Sequence, residues 1–152
     1  MKKINHILLA DDDKADHILF EKAFKDLNVP PNITIVNDGE DLIKYLTKHS
    51  EQLPDIIFLD LNMPRKNGFE SLVEIREIEK LKDLPIVIFS TSFPQDKNYE
   101  LGMISNLFKL GARVYIRKPG DFAQLKQTIQ HALPMAVEEI SSNNQLKYIL
   151  NA

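Results

Sequence analysis

From residue 4 to about residue 134, short apolar runs alternate with longer amphipathic stretches. The runs at 4–10, 33–36, 56–60, 86–90 and 113–117 are mostly continuous in Ile, Val, Leu and Phe. Such continuity predicts strands covered on both faces. Between them the pattern predicts helices near 14–27, 39–49, 67–80, 97–110 and 121–133. Phe20, Ala23, Phe24 and Leu27 recur at helical spacing, as do Phe69, Leu72, Val73, Ile75 and Ile78. Pro30-Pro31 is expected to end the first helix, Pro54 and Pro85 precede strands, and Gly111 stands where a helix C-cap is expected. Five repeats of strand then helix specify an α/β domain with a parallel sheet.

Composition narrows the function. The chain has 152 residues, a formal charge of -3 and no cysteine. One domain of ordinary size fits that length. The acidic balance argues against a nucleic-acid binder, and the missing cysteines exclude disulfides, thiolate metal sites and a thiol nucleophile. No apolar run approaches the roughly 18 residues of a membrane span. The start imitates a signal peptide only until Asn5, His6 and the following aspartates interrupt it. A cytoplasmic protein is expected. The division is a domain over 1–134 and an extension over 135–152, as a short helix or a loose tail.

Ligands of open parallel sheets bind beyond the carboxyl ends of the strands. There the sequence places Asp11-Asp12-Asp13, Asp60, Ser90-Thr91 and Lys118-Pro119, each after its own strand. Converging carboxylates need a cation or protons. An all-oxygen donor set favours Mg²⁺, and a lysine and hydroxyl beside it suit a phosphoryl group. A carboxylate in that setting can act as a nucleophile and form an aspartyl phosphate, with Asp60 the central candidate. Taken singly, each piece is ordinary: an aspartate after a strand is often a helix N-cap, which is the role expected of Asp13. His6, His17, His49 and His131 show no ligand spacing, and Met63 and Met103 read as packing residues.

The strings Leu8-Leu9-Ala10-Asp11-Asp12, Phe58-Leu59-Asp60-Leu61-Asn62-Met63-Pro64 with Gly68, Ile88-Phe89-Ser90-Thr91 and Tyr115-Ile116-Arg117-Lys118-Pro119 resemble a response-regulator receiver domain. The Asp11-to-Ala15-Asp16 opening is similar to that of stand-alone regulators associated with phytochrome-type kinases. The resemblance implies a flavodoxin-like (βα)5 doubly wound sheet with strand order 2-1-3-4-5. It implies phosphorylation at Asp60 and Mg²⁺ held by Asp11, Asp12, Asp60 and the Asn62 backbone carbonyl. Lys118, Ser90 and Thr91 would contact the phosphoryl group, and Ser90 with Tyr115 would form the switch. It further implies a cis peptide bond between Lys118 and Pro119.

The implied partner is a sensor histidine kinase, of phytochrome type, or a phosphotransfer protein, with a second copy of the chain as a further contact. Nucleic acid and membrane are not expected partners. The implied chemistry is self-phosphorylation and autodephosphorylation by a signalling switch, not metabolic catalysis. Two features depart from the family pattern: a segment from 93 to 110 about six residues longer than usual, with Gly102 inside it, and Thr91 where a smaller residue is usual. Against the haloacid-dehalogenase-like phosphohydrolases stands Asn62 in place of their second acid. Against a flavodoxin-type flavin carrier stand the aspartates after the first strand, which repel phosphate. A phosphorylation-independent pseudo-receiver that binds a partner protein is the remaining alternative.

Overall fold

The five apolar runs become five parallel strands, and each is followed by a helix. In a computed structural model, which describes residues 3–27, 30–91 and 97–137, the order is β1 (His6–Ala10), α1 (Lys14–Lys25), β2 (Asn32–Val36), α2 (Gly39–Lys48), β3 (Ile56–Leu59), α3 (Gly68–Glu77), β4 (Ile86–Ser90), α4 (Lys97–Lys109), β5 (Val114–Arg117) and α5 (Phe122–Val137). The sheet order is β2-β1-β3-β4-β5. Ala10 pairs with Val36 and Leu59, Leu59 with Ile88, and Ile88 with Tyr115. That register aligns the carboxyl ends of the strands along one edge.

Alternation along the strands divides the core in two. Leu8, Ala10, Ile57, Leu59, Ile86, Ile88 and Tyr115 face one way, onto Leu42 and Leu46 of α2, Leu72 and Ile75 of α3, and Met103, Ile104 and Leu107 of α4. Ile7, Leu9, Ile56, Phe58, Val87, Phe89, Val114 and Ile116 face the other way, onto Phe20, Ala23 and Phe24 of α1 and Leu125, Ile129 and Ala132 of α5. Phe20 anchors the second layer, with its ring 5.0 Å from Phe58 and 5.8 Å from Phe89. Met63 and Met103 are both buried in the first layer, as packing residues.

The element boundaries differ from the expected ones in a few places. β1 begins at His6, two residues later than the apolar run, because Asp55 accepts the backbone N–H groups of Asn5 and His6. α1 ends at Lys25, before Pro30-Pro31. Helix α3 stops at Glu77, short of the expected 80, and beyond it Leu81 is buried between the exposed Lys80 and Lys82. At the other end of the chain α5 runs through Pro134 to Val137, which puts the expected boundary inside a helix. Proline there forfeits the bond its own nitrogen would make and crowds the carbonyl four residues back, that of Gln130. Buried Ala136, whose carbonyl accepts from Arg113 at 2.8 Å, holds that turn on the core. The rest of the 135–152 extension, from 138 onward, lies outside the described residues, as do 92–96 of the lengthened segment.

Gly111 ends the α4 connection in the left-handed region, φ 96°, where a side chain is strained. Its carbonyl accepts from Arg76 at 2.6 Å, and the same guanidinium donates to Lys82 and Leu84. One side chain on α3 thus ties the turns before β4 and β5.

Candidate functional site

Asp11 follows β1 directly and is fully buried. Its Oδ1 accepts the Asp13 N–H at 2.9 Å. Asp13 in turn caps α1, accepting from Ala15 N–H at 2.8 Å and Asp16 N–H at 3.3 Å, which is the role expected of it. Asp12 between them is exposed. Carboxylate oxygens of Asp11, Asp12 and Asp60 all lie within 4.8 Å of one another.

Asp60 follows β3 and is 5% exposed. Its backbone N–H continues the sheet ladder to the Ala10 carbonyl at 3.0 Å. Its Oδ1 accepts from the Ser90 hydroxyl at 3.3 Å and from the Asn62 N–H at 3.4 Å. The loop behind it is held tightly. Gly68 opens α3 so close to the chain that a Cβ there would lie 2.3 Å from the Asp60 carbonyl oxygen. Arg65, at φ 64°, donates through Nε to buried Asp38 at 2.7 Å. Asp38 also caps α2, so the loop carrying Asn62 is clamped to a neighbouring helix.

Lys118 reaches this acidic cluster from β5. Its Nζ donates to Asp11 Oδ2 at 2.7 Å and Asp16 Oδ2 at 2.8 Å, and stands 3.6 Å from Asp60 Oδ2. The aromatic face of Phe89 lies beneath it, 5.2 Å from Nζ to the ring centre. Every described peptide bond is trans, so the expected cis bond before Pro119 is not found. The trans form of an X–Pro bond is intrinsically lower by about 0.5–1 kcal/mol, and it already delivers the lysine to three carboxylates.

Burial dominates the electrostatics. It pushes the Asp60 carboxyl up to about 6, with the Asp11 charge adding to the rise and Lys118, the Asn62 N–H and the Ser90 hydroxyl opposing it. Asp11 is also raised, by burial against the pull of Lys118. For Lys118 burial alone would lower the ammonium. Asp60, Asp11 and Asp16 together outweigh it and bring it to about 12. Above pH 6 the site therefore carries an Asp60 carboxylate that its surroundings disfavour and a lysine that is firmly charged. A hard divalent cation fits this all-oxygen donor set.

The other expected residues divide. Ser90 is fully buried and turned toward Asp60, whereas Thr91 lies just past β4 and is exposed. Tyr115 is fully buried on β5 with no hydrogen-bond partner for its hydroxyl among the described residues, and burial raises the phenol to about 12. Beside it Glu100 of α4 pairs with Arg117. The sequence marks no role for Asp38, Arg65 or the Glu100–Arg117 pair, and marks Asp16 only as part of the opening motif. Their partners lie 102, 27 and 17 residues away, and no local periodicity marks such pairs.

A family model describing the response regulator receiver domain matches residues 7–130. The chain belongs to this family. Response regulator Rcp1 of Synechocystis sp. is 30% identical to this receiver domain over 128 residues, which is 82% of this chain and 83% of Rcp1. The crystal structure of the phosphorylated cyanobacterial phytochrome response regulator RcpA superposes with a TM-score of 0.77 at 31% identity, covering 91% of this chain and 98% of RcpA. The Mn²⁺-bound form of Rcp1 gives a TM-score of 0.73 at 27% identity, covering 90% and 97%. The flavodoxin-like strand order expected from the motifs is the one observed. As a response regulator receiver domain, the chain acts in two-component signalling, as a switch.

Proposed function

We propose that Asp60 accepts a phosphoryl group from the phosphohistidine of a sensor kinase, with Mg²⁺ held by Asp11, Asp12, Asp60 and the Asn62 backbone carbonyl. The observation that carries this is the meeting of Asp60 with two further acids and Lys118 at one strand edge. In the transfer an Asp60 carboxylate oxygen bonds to phosphorus, the P–N bond breaks, and its electron pair leaves with the imidazole. Asp60 must be ionised to attack, and a carboxyl at about 6 is so at neutral pH. Bound at the three acids, Mg²⁺ offsets the charge on the transferred oxygens. Lys118 supplies the second cation, and the Ser90 hydroxyl is already aimed at the carboxylate.

Switching is assigned to Ser90 and Tyr115. Ile88 and Ser90 share one face of β4, and Tyr115 pairs with Ile88 on the neighbouring strand. A Ser90 hydroxyl drawn to the phosphoryl group leaves room for the Tyr115 ring, and α4, β5 and α5 are the surface that reads its position. Similarity to the cyanobacterial phytochrome response regulator RcpA supports a phytochrome-type kinase as partner, and a cytoplasmic location is part of the same proposal. Phosphorylation of Asp60 and hydrolysis of the resulting acyl phosphate make limited catalysis part of the switch. Incubation with acetyl phosphate and Mg²⁺, followed by intact-mass spectrometry, tests the assignment. One added phosphoryl group, absent from Asp60→Asn, is expected. No addition to the wild type, with no beryllofluoride binding, would leave a pseudo-receiver that binds its partners unmodified.

A further inference from the structure

Asp16 occupies the third position of α1, three residues after its N-cap Asp13. An acid there ordinarily answers the cap by accepting its backbone N–H. Here that N–H is already taken by Asp11 Oδ1. The Asp16 carboxylate instead crosses to β5 and accepts from Lys118 at 2.8 Å. Lys118 has three N–H bonds to give. Asp11 and Asp16 take two at hydrogen-bond distance, while Asp60 stands at 3.6 Å, beyond it. Asp11 is also one of the three acids whose oxygens converge within 4.8 Å. A cation bound there draws on the same carboxylate that holds the lysine, whereas Asp16 is outside that cluster and keeps its contact.

We infer that Asp16 is a positioning residue for Lys118, holding its ammonium beside Asp60 when a divalent cation engages Asp11. The inference rests on the reading of Asp60 as phosphoacceptor and Lys118 as its cationic partner. Helix α1 thereby sets how rigidly the phosphoryl-contacting lysine is presented. Without Asp16 the ammonium is held by a carboxylate already shared with the cation, and it loses its fixed aim.

The test compares Asp16→Asn, Asp16→Glu and Asp13→Asn with the wild type. Asp13→Asn removes the same charge from the same helix turn and keeps a good cap, but touches no lysine. In saturating Mg²⁺, Asp16→Asn is expected to lower both the acetyl phosphate reaction rate and beryllofluoride affinity about tenfold, as for loss of one charge-assisted hydrogen bond. Asp13→Asn should change neither by more than about twofold, and Asp16→Glu should restore part of the loss. A direct readout needs no phosphoryl donor. The ¹⁵N ammonium signal of Lys118, assigned by its loss in Lys118→Arg, should persist in Mg²⁺-loaded wild type and vanish in Asp16→Asn. Unchanged rate, affinity and signal in Asp16→Asn would overturn the inference. A wild type that takes no phosphoryl group defeats the phosphoacceptor reading instead, and the ammonium signal then still decides for or against Asp16.

Discussion

Asp60→Asn should make the metal-free protein more stable at neutral pH. The Asp60 carboxyl titrates at about 6 in the fold, against an ordinary 3.8. A carboxyl raised on folding binds its proton more tightly than in the unfolded chain, so ionising it costs stability as pH rises. The displacement corresponds to about 3 kcal/mol above pH 6, about half of that at pH 5, and little at pH 4. Asn has nearly the same shape and no charge. Its amide N–H groups face a site built for an anion, which returns part of the gain, so about 1–3 kcal/mol should remain. For a domain of this size that is a rise in Tm of about 3–9 °C. Thermal and urea unfolding in EDTA between pH 4 and pH 8 would measure it. A variant less stable than wild type at pH 8, or a difference that does not grow with pH, refutes the reasoning. In excess Mg²⁺ the gap should close, because the cation stabilises the wild-type carboxylate and has less to bind in the variant.

Two other substitutions probe the supports of the site. Gly68→Ala would place a methyl against the Asp60 carbonyl and the Leu61 Cα, backbone atoms that cannot yield by rotation. A loss of about 1–3 kcal/mol in urea unfolding is expected, with weakened beryllofluoride binding because the shifted chain is that of Asp60. Glu100→Ala leaves the partly buried Arg117 without its partner, at a cost of about 3–5 kcal/mol. It should also bring the Tyr115 phenol down from about 12, since Glu100 is one cause of its rise, and ultraviolet titration of the phenolate would record the change.

The strands were legible because a sheet covered on both faces writes itself as unbroken apolar runs, and 86–90 is a strand from end to end. Asp11, Asp60, Ser90 and Lys118 were legible because a parallel register brings successive strand ends to one edge, whatever the loops do. Helix ends were harder to place. Pro134 reads as a helix stop because it forfeits a bond and crowds the preceding turn, and the sequence alone does not show the Ala136 contact that holds the helix beyond it on the core. Asp16 enters the sequence reading only as part of the opening motif, and only the packing of α1 beside β5 reveals its lysine. The Lys118–Pro119 bond shows the limit of analogy: a shared motif carries residue types, and the backbone isomer is a separate property.

The placement of Lys118 has a consequence for the lifetime of the signal. β5 closes the sheet at its margin, bonded to β4 on one side and, among the described residues, to no strand on the other. The cation that completes the Asp60 site is therefore delivered by the strand with the fewest backbone partners. Opening of that margin would disconnect the site while the other four strands stay paired. Conversely, a phosphoryl group gripped by Lys118 fastens the border of the sheet to its centre. Amide exchange along 114–117 should slow in the phosphorylated protein more than exchange in β1 or β3, so the chemical state of one carboxylate is written into the breathing of the strand farthest from β2.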